Sequence, residues 1–180
     1  MISIFDIFKV GIGPSSSHTV GPMKAGYFFI NEVKNKYDIN KVQKIKIDLY
    51  GSLALTKSGH GTDIALMLGL CGYTPKDVEP NDIDKIIDNI RKTKKIKLNF
   101  EKDISFDEDV DILTHKTEEL PYHPNGLIIT AYDNKNKVIF SEEYYSVGGG
   151  FVETKDEISN KKNKKVSKDN NIPYDFASWE

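Results

Sequence analysis

The chain has 180 residues, of which 38% are hydrophobic and 29% charged, a composition that predicts one soluble globular domain able to fold without disulfides. Lys and Arg number 25 and Asp and Glu number 27, so the formal charge of −2 predicts neither a nucleic-acid partner nor a membrane partner. Cys71 is the only cysteine, which excludes a disulfide framework. The sequence has no run of about 18 apolar residues and no basic leader, so we expect a cytoplasmic protein.

The spacing of apolar side chains predicts mainly helices in the first half of the chain and mainly strands in the second. The expected elements are a short helix at 4–9, a helix from about 19 or 21 to 36, a strand at 42–50, a helical turn at 52–56, helices at 62–70 and from 81 or 82 to 92, and strands at 96–100, 110–114, 127–132 and 138–147. Thr62 is expected to cap the helix that follows it. This order favours an α+β sandwich, with helices packed on one face of a largely antiparallel sheet.

The end of the chain differs in composition from the rest. Residues 153–171 are mostly Lys, Asn, Asp and Glu, which predicts a charged linker after a domain at 1–152. Residues 172–180, IPYDFASWE, are apolar again. We expect this last segment either to anchor on the surface of the domain or to begin a further domain.

Three of the four histidines lie in segments rich in glycine, proline, serine or threonine: GIGPSSSHT at 11–19, GHGTD at 59–63 and YHPNG at 122–126. Gly and Pro interrupt helices and strands, and small hydroxyl side chains leave backbone amides free to face a ligand. The first two segments each precede a predicted helix. We therefore expect the functional site in these loops, and we expect His115, near the end of a strand, at the surface.

In the first segment, Ser15, Ser16 and Ser17 precede a helix whose first amides are unpaired and whose dipole attracts negative charge. This arrangement is typical of a carboxylate or phosphate cradle. Because Arg91 is the only arginine, an anion bound in the motif loops must be held by backbone amides, hydroxyls, Lys or His. The alternative is that the serines only cap the helix and shape the turn.

The other two segments allow both a functional and a structural interpretation. Glycines on both sides give a ligand close access to His60, and Asp63 is near enough in sequence to orient an imidazole. Equally, the glycines form a sharp turn and Asp63 lies in the first turn of a helix. His123 and Asn125 have the same ambiguity, because Pro-Asn-Gly is itself a good turn. The histidines also suggest a zinc site, as in a mononuclear hydrolase, but their irregular spacing makes this a weak signal.

The three segments occur in order within longer motifs. These motifs are IFDIFKVGIGPSSSHTVGPMKAG, LYGSLALTKSGHGTD, YHPNG and YYSVGGGF, with PYDF in the tail. The chain thereby resembles, over about residues 2–152, the β domain of the iron-sulfur-dependent bacterial L-serine dehydratases, or L-serine ammonia-lyases. The resemblance implies a fold similar to the substrate- or effector-binding domain of some phosphoglycerate dehydrogenases. It also implies a homo-oligomeric enzyme of amino-acid catabolism and gluconeogenesis that converts L-serine into pyruvate and ammonia.

The resemblance also implies roles for particular residues. The catalytic residues are expected to be His18, His60 and Asp63. The substrate-binding residues are expected to be Ser15, Ser16, Ser17, Thr19, Thr62, His123 and Asn125. We expect His60 rather than His18 to lie nearest the proton transfer, because its glycine neighbours allow close approach.

The [4Fe-4S] cluster of this family needs three or four cysteine ligands. Cys71 is alone in the apolar run LMLGLCGY, so we expect it to be a buried apolar side chain and expect no metal ligands in this chain. The resemblance therefore implies a cluster-binding helical domain or subunit outside the chain, without which the chain is inactive. The alternative is a module that binds a small amino acid or hydroxy acid without catalysis.

Overall fold

The computed structural model describes residues 13–57 and 59–166. The helix predicted at 4–9 and the anchor segment predicted at 172–180 lie outside the described residues. Within the described ranges, no helix is both long enough and apolar enough to cross a membrane.

Six helices and seven strands make up most of the described part of the chain. The helices are α1 Gly21–Lys36, α2 Gly51–Thr56, α3 Thr62–Cys71, α4 Pro80–Thr93, α5 Glu108–Asp111 and α6 Lys155–Val166. The strands are β1 Lys44–Tyr50, β2 Lys95–Leu98, β3 Lys102–Ser105, β4 Ile112–His115, β5 Gly126–Tyr132, β6 Val138–Gly148 and β7 Phe151–Thr154. A π-helical turn, Ser16–Val20, leads into α1, and a 3₁₀ turn, Ile39–Lys41, follows it.

Five strands form the main sheet in the order β4-β1-β5-β6-β7. Neighbouring strands run antiparallel except β1 and β4, which are parallel. The β2 and β3 strands form a separate antiparallel hairpin. These pairings confirm the predicted α+β class with a largely antiparallel sheet. The similarity to phosphoglycerate dehydrogenase domains stays a prediction.

One face of the main sheet packs against the hydrophobic core. Along β1 the side chains alternate, so that Ile45, Ile47 and Leu49 are buried and the residues between them are partly exposed. Across the β1–β5 ladder, Ile47 lies opposite Ile129 and Leu49 lies opposite Leu127. These side chains share one hydrophobic core with the buried faces of α1 and α3. The loops that precede α1 and α3 are thereby attached to a rigid base.

The helices α1 and α3 pack with their backbones in close contact. A Cβ atom at Gly69 would lie 2.1 Å from the Met23 carbonyl oxygen, and one at Gly26 would lie 2.9 Å from the Leu66 carbonyl oxygen. Larger residues therefore do not fit this crossing without a shift of the backbone. From residue 65 to its end, every residue of α3 is buried. This packing holds the start of α3, and with it the GHGTD loop, close to the start of α1.

Two local predictions are wrong. The N-cap of α3 is Gly61, in the left-handed conformation with φ of 64°, and Thr62 is the first helical residue. Glycine adopts this conformation without strain. Because Gly61 and not Thr62 is the cap residue, the Thr62 hydroxyl can bond a partner outside the helix. The strand predicted at 110–114 begins later, because Glu108–Asp111 forms the short helix α5 with Asp107 as its cap.

The segment predicted as a charged linker, 153–171, contains the end of β7 and the helix α6. Ile158 is buried, and Lys155 and Lys161 form ion pairs with Glu143 and Glu153 at 3.3 and 2.6 Å. A helix was not expected because the sequence has no apolar stripe here. The role of this segment as a connection to a further domain stays a prediction.

Candidate functional site

The serine loop enters the π-helical turn that precedes α1. The Ser15 side chain accepts a hydrogen bond from the His18 amide at 3.1 Å, so Ser15 caps this turn. The Ser15 carbonyl oxygen also accepts bonds from the Thr19 and Val20 amides. Ser16 is exposed to solvent. Ser15 therefore caps this turn, as one of the two alternatives proposes, and its role in substrate binding stays a prediction. Ser16 remains accessible.

His18 is held at both ring nitrogens by serine hydroxyls. Its Nε2 atom lies 2.8 Å from Ser52 Oγ, and its Nδ1 atom lies 2.8 Å from Ser17 Oγ. Burial, together with the nearby His60 ring, lowers the pKa of His18 below 6.5. A neutral imidazole has one N–H group and one lone pair, so one of the two serines donates to the ring and the other accepts from it.

His60 lies beside His18. The ring centroids are 5.2 Å apart and the ring planes are inclined by 37°. Thr19 Oγ1 donates to the His60 carbonyl at 2.9 Å, and Thr62 Oγ1 donates to the His18 carbonyl at 2.7 Å. These two bonds join the loops that carry the imidazoles. The His60 Nδ1 atom is buried and has no hydrogen-bond partner among the described residues.

Asp63 orients neither His18 nor His60 in the described part of the structure. Its side chain is buried, and Oδ1 accepts a bond from the Ile64 amide at 2.9 Å. Its charge lies in the first turn of α3, where the helix dipole stabilises it. The contacts of Asp63 match the alternative in which it only stabilises the first turn of the helix, and its catalytic role stays a prediction.

Ser52 is a site residue that the sequence analysis missed. Besides bonding His18, it donates its amide to the Pro124 carbonyl at 3.0 Å, so it contacts the first and the third histidine segments. Gly51 precedes it with φ of 49°, and a Cβ atom there would lie 2.5 Å from the Pro124 carbonyl oxygen. A signal was present, because Gly-Ser directly after a strand and before a helical turn has the same composition as the other site loops.

The third segment is attached to β6 and to Ser52 through backbone contacts. His123 Nδ1 accepts a bond from the Asn125 amide at 3.1 Å, and burial lowers the pKa of His123. Asn125 is buried; its Nδ2 atom donates to the Ser146 carbonyl at 3.2 Å, and its carbonyl accepts from the Ser146 amide at 3.0 Å. In the described structure the His123 ring makes no contact with the His18 or His60 ring.

Ser146, which the sequence analysis also missed, joins the third segment to α1. A Cβ atom at Gly21 would lie 1.9 Å from Ser146 Oγ, so β6 touches the start of the helix directly. Ser146 is fully buried, and its hydroxyl has no partner among the described residues. The contact needs glycine at position 21 and a small residue at position 146, and neither requirement shows in the local sequence pattern.

The predicted site residues divide by exposure into two layers. The accessible layer contains Ser15, Ser16, Ser17, His18, His60 and His123, together with Ser52. The buried layer contains Thr19, Thr62, Asp63 and Asn125. The accessible layer offers imidazoles and hydroxyls, which can accept or donate protons and hold a small polar molecule.

His115 lies at the surface with its side chain 28% exposed, and it also has partners there. Its Nε2 atom lies 2.7 Å from Asp48 Oδ1, and its ring stacks on Tyr50 with centroids 4.5 Å apart. It contacts none of the site residues named above in the described structure. His115 therefore serves as a histidine outside the site.

The described residues do not offer a metal centre. No group of three or more His, Cys, Asp or Glu side chains is placed to hold an ion in this part of the chain. Cys71 is 5% exposed, and burial raises the pKa of its thiol to about 12. It therefore stays protonated at neutral pH and does not suit iron as a ligand.

The fold and the loops define the class of protein: an α+β domain with a polar site in which two adjacent histidines are held by serine hydroxyls. The chain belongs to the serine dehydratase beta chain family, whose model matches residues 3–157. This membership confirms the resemblance that the motifs indicate.

Several named proteins are similar to this chain over most of its length. The chain is 40% identical to the L-serine dehydratase of Haemophilus influenzae over 181 residues, which cover 100% of this chain and 39% of that protein. It is 42% identical to L-serine dehydratase 1 of Escherichia coli over 179 residues, which cover 99% of this chain and 38% of that protein. It is 43% identical to the L-serine dehydratase of Streptomyces coelicolor over 157 residues, which cover 87% of this chain and 34% of that protein. The chain thus spans less than half the length of these curated relatives.

Proposed function

We propose that the chain forms the substrate-closing β domain of an L-serine dehydratase, which converts L-serine into pyruvate and ammonia. The observation that carries this proposal is the position of His18, which bonds Ser52 and lies against the His60 ring. These contacts join separate motifs into one polar surface. The family and the names of the relatives agree with the proposal.

Removal of the Cα proton of L-serine needs an unprotonated base close to the substrate. We assign this role to His60, which has glycine on both sides and lies beside the ring of His18. Since His60 Nδ1 is buried, Nε2 is the nitrogen that a substrate can reach. Loss of the Cα proton and of the β-hydroxyl, which leaves as water, gives an enamine. Its imine tautomer is hydrolysed to pyruvate and ammonia.

The substrate carboxylate is assigned to the serine loop. Ser16 is accessible at the start of the turn that precedes α1, and Ser17 fixes the neighbouring His18 ring. The amides of His18, Thr19 and Val20 are already bonded to Ser15, so the accessible hydroxyl of Ser16 and the helix dipole, and not unpaired amides, support this assignment. His123, which is partly exposed, completes the site from the third loop.

The buried residues of the site are assigned to positioning. Thr19 and Thr62 use their hydroxyls to join the two histidine loops. Asn125 uses its amide group to hold the third loop on β6. Their substitution is therefore expected to disturb the relative placement of the imidazoles and not a direct contact with substrate.

The cluster implied by the resemblance does not fit the described residues, because Cys71 is buried and no second cysteine is present in the chain. We therefore assign the cluster to a helical domain or subunit outside this chain, and we expect the chain alone to be inactive. Assembly into a homo-oligomer and a cytoplasmic location belong to the same proposal.

The proposal is tested with a chimera of the E. coli L-serine dehydratase 1 in which this chain replaces the matching segment. We expect the folded, cluster-loaded chimera to release pyruvate from L-serine, and His60→Gln to lower kcat by about 100-fold or more. His115→Gln is the matched control, because His115 is bonded to Asp48 outside the site. A folded, cluster-loaded chimera that forms no pyruvate would overturn the proposal.

Calorimetry on the 180-residue chain distinguishes between two hypotheses, part of an enzyme active site and a binding module without catalysis. A domain that supplies only part of an active site lacks the contacts of its partner, so we expect no binding of L-serine tighter than about 1 mM. Micromolar binding by the chain alone would favour the binding module.

A further inference from the structure

A cavity of about 440 Å³ lies between α4 and the β2–β3 hairpin, beside the last residue of α3. Its walls include the aromatic rings of Tyr73 and Phe100 and the aliphatic side chains of Ile86 and Ile90. This volume and this mixture of apolar walls with a few polar groups are typical of sites for small organic molecules. None of these residues belongs to the histidine site.

Two aromatic rings in contact with each other form one wall of the cavity. Tyr73 and Phe100 meet edge to face, with centroids 4.7 Å apart and an angle of 86° between the ring planes. Phe100 is nevertheless 51% exposed. A large apolar ring that is half exposed at the mouth of a cavity offers surface that a ligand can cover.

The backbone keeps the Phe100 ring in this place. Phe100 has φ of 61° and Asn99 has φ of 46°, a left-handed conformation that is unusual for a bulky side chain. The amides of Asn99 and Phe100 donate to the carbonyls of Leu70 and Cys71 at 3.0 and 2.9 Å. The hairpin thereby provides hydrogen-bond donors for the last carbonyls of α3, and these bonds hold residues 99 and 100 in the left-handed conformation. The position of the ring is therefore set by the fold.

The charges at the rim favour an anion. Lys95 and Lys97 line the cavity, and neither forms an ion pair among the described residues. The neighbouring Lys94, by contrast, forms an ion pair with Asp107. Asp103 also lines the cavity and lies opposite Lys97 in the β2–β3 ladder, which leaves an excess of one positive charge. This balance suits a ligand with a single negative charge.

We propose that this cavity is a second binding site, for a small monocarboxylate with an aromatic or branched aliphatic body. The body packs between Phe100 and Ile86, and the carboxylate lies between Lys95 and Lys97. The site is distinct from the histidine site, since α3 has ten residues and separates its two ends by about 15 Å. The inference does not depend on the proposed activity.

The test is a nuclear magnetic resonance titration of the 180-residue chain with 3-phenylpropionate, and with 3-phenylpropionamide as the neutral probe of the same shape. We expect saturable shifts of the Tyr73, Lys97 and Phe100 amides with the carboxylate, and little change at His18 or His60. The neutral amide should bind about threefold more weakly, because it lacks attraction to the lysines.

Variants identify the contacts. Lys95→Gln combined with Lys97→Gln should abolish the difference between the two probes, whereas Lys102→Gln, which lies on the hairpin but does not line the cavity, should preserve it. Phe100→Leu should weaken both probes while the spectrum elsewhere stays folded. Absence of saturable shifts up to roughly 10 mM, equal binding of both probes, or unchanged binding by the folded Phe100→Leu variant would each overturn the proposal.

Discussion

Thr62 and Ser146 are both fully buried, but only one of these two hydroxyls has a partner among the described residues. Thr62 Oγ1 donates to the His18 carbonyl at 2.7 Å, whereas Ser146 Oγ has no partner. A buried hydroxyl without a partner loses its hydrogen bonds to water and gains none in exchange. The two residues therefore form a natural pair for measuring what one hydrogen bond contributes to the site.

We expect Thr62→Val to lower the free energy of unfolding by about 1–2 kcal/mol, because the His18 carbonyl loses its donor. Ser146→Ala should leave this free energy unchanged or raise it slightly, because the removed group makes no bond. Urea unfolding of the two variants and the parent measures both effects. A loss of stability in Ser146→Ala as large as that in Thr62→Val would show that the Ser146 hydroxyl does form a hydrogen bond.

The residues of the site could be predicted only in part. His18, His60 and His123 were found because glycine, proline and hydroxyl neighbours mark loops. Ser52 and Ser146 were missed because their importance depends on partners far away in the sequence; Ser52 bonds a residue 34 positions earlier. Local patterns carry no information on such pairs.

At the scale of elements, the crossing of α1 and α3 decides where the two histidine loops lie. Each helix follows one of these loops, and the crossing places glycine of one helix against backbone of the other. A change at the crossing therefore affects both the stability of the domain and the distance between the imidazoles.

We expect Gly69→Ala to lower the free energy of unfolding by about 1–3 kcal/mol, since the added methyl group would lie 2.1 Å from the Met23 carbonyl oxygen. Gly59→Ala is the matched control, because its Cβ would meet only Thr56 O, at 3.8 Å. Thermal and urea unfolding compare the two. A Gly69→Ala protein as stable as the control would show that the helices do not cross as closely as described.

Helices and strands could be predicted where the burial of one face imposes a regular spacing of apolar residues. The helix α1 and the strand β1 each have one buried face, and both were predicted with small shifts at their ends. The helix α6 was missed because it is polar nearly throughout and is held by Ile158 and by ion pairs to the sheet. The strand β4 was predicted too early because the Asp107 cap starts a helical turn that apolar spacing does not reveal.

For the whole molecule, the partly buried histidines make stability depend on pH. Burial lowers the pKa of His18 and of His123 below 6.5, so the unfolded chain binds more protons than the folded chain just below that pH. Stability therefore rises as pH rises through this window and falls as pH falls below 6.5. Asp107 and Asp133 have lowered pKa values, so the stability that they contribute is lost only below 3.8.

We expect the urea midpoint to fall between about pH 7.5 and pH 5.5, and to fall less in the variant with His18→Gln and His123→Gln. The two pH values lie on either side of the ordinary histidine pKa. The measurement is urea unfolding followed by circular dichroism. An equal pH dependence in parent and variant would rule out these two histidines as its source.

The hydrogen bonds of the histidine site span 34, 41 and 44 positions of the chain. Contacts between distant positions form late in folding, since the intervening chain must first be closed into a loop. The chain between His18 and Ser52 includes α1 and β1, so we expect this bond to form only after both elements have formed. We therefore expect a partly folded domain to lack these bonds, so that the ring signals of His18 would report the completed fold.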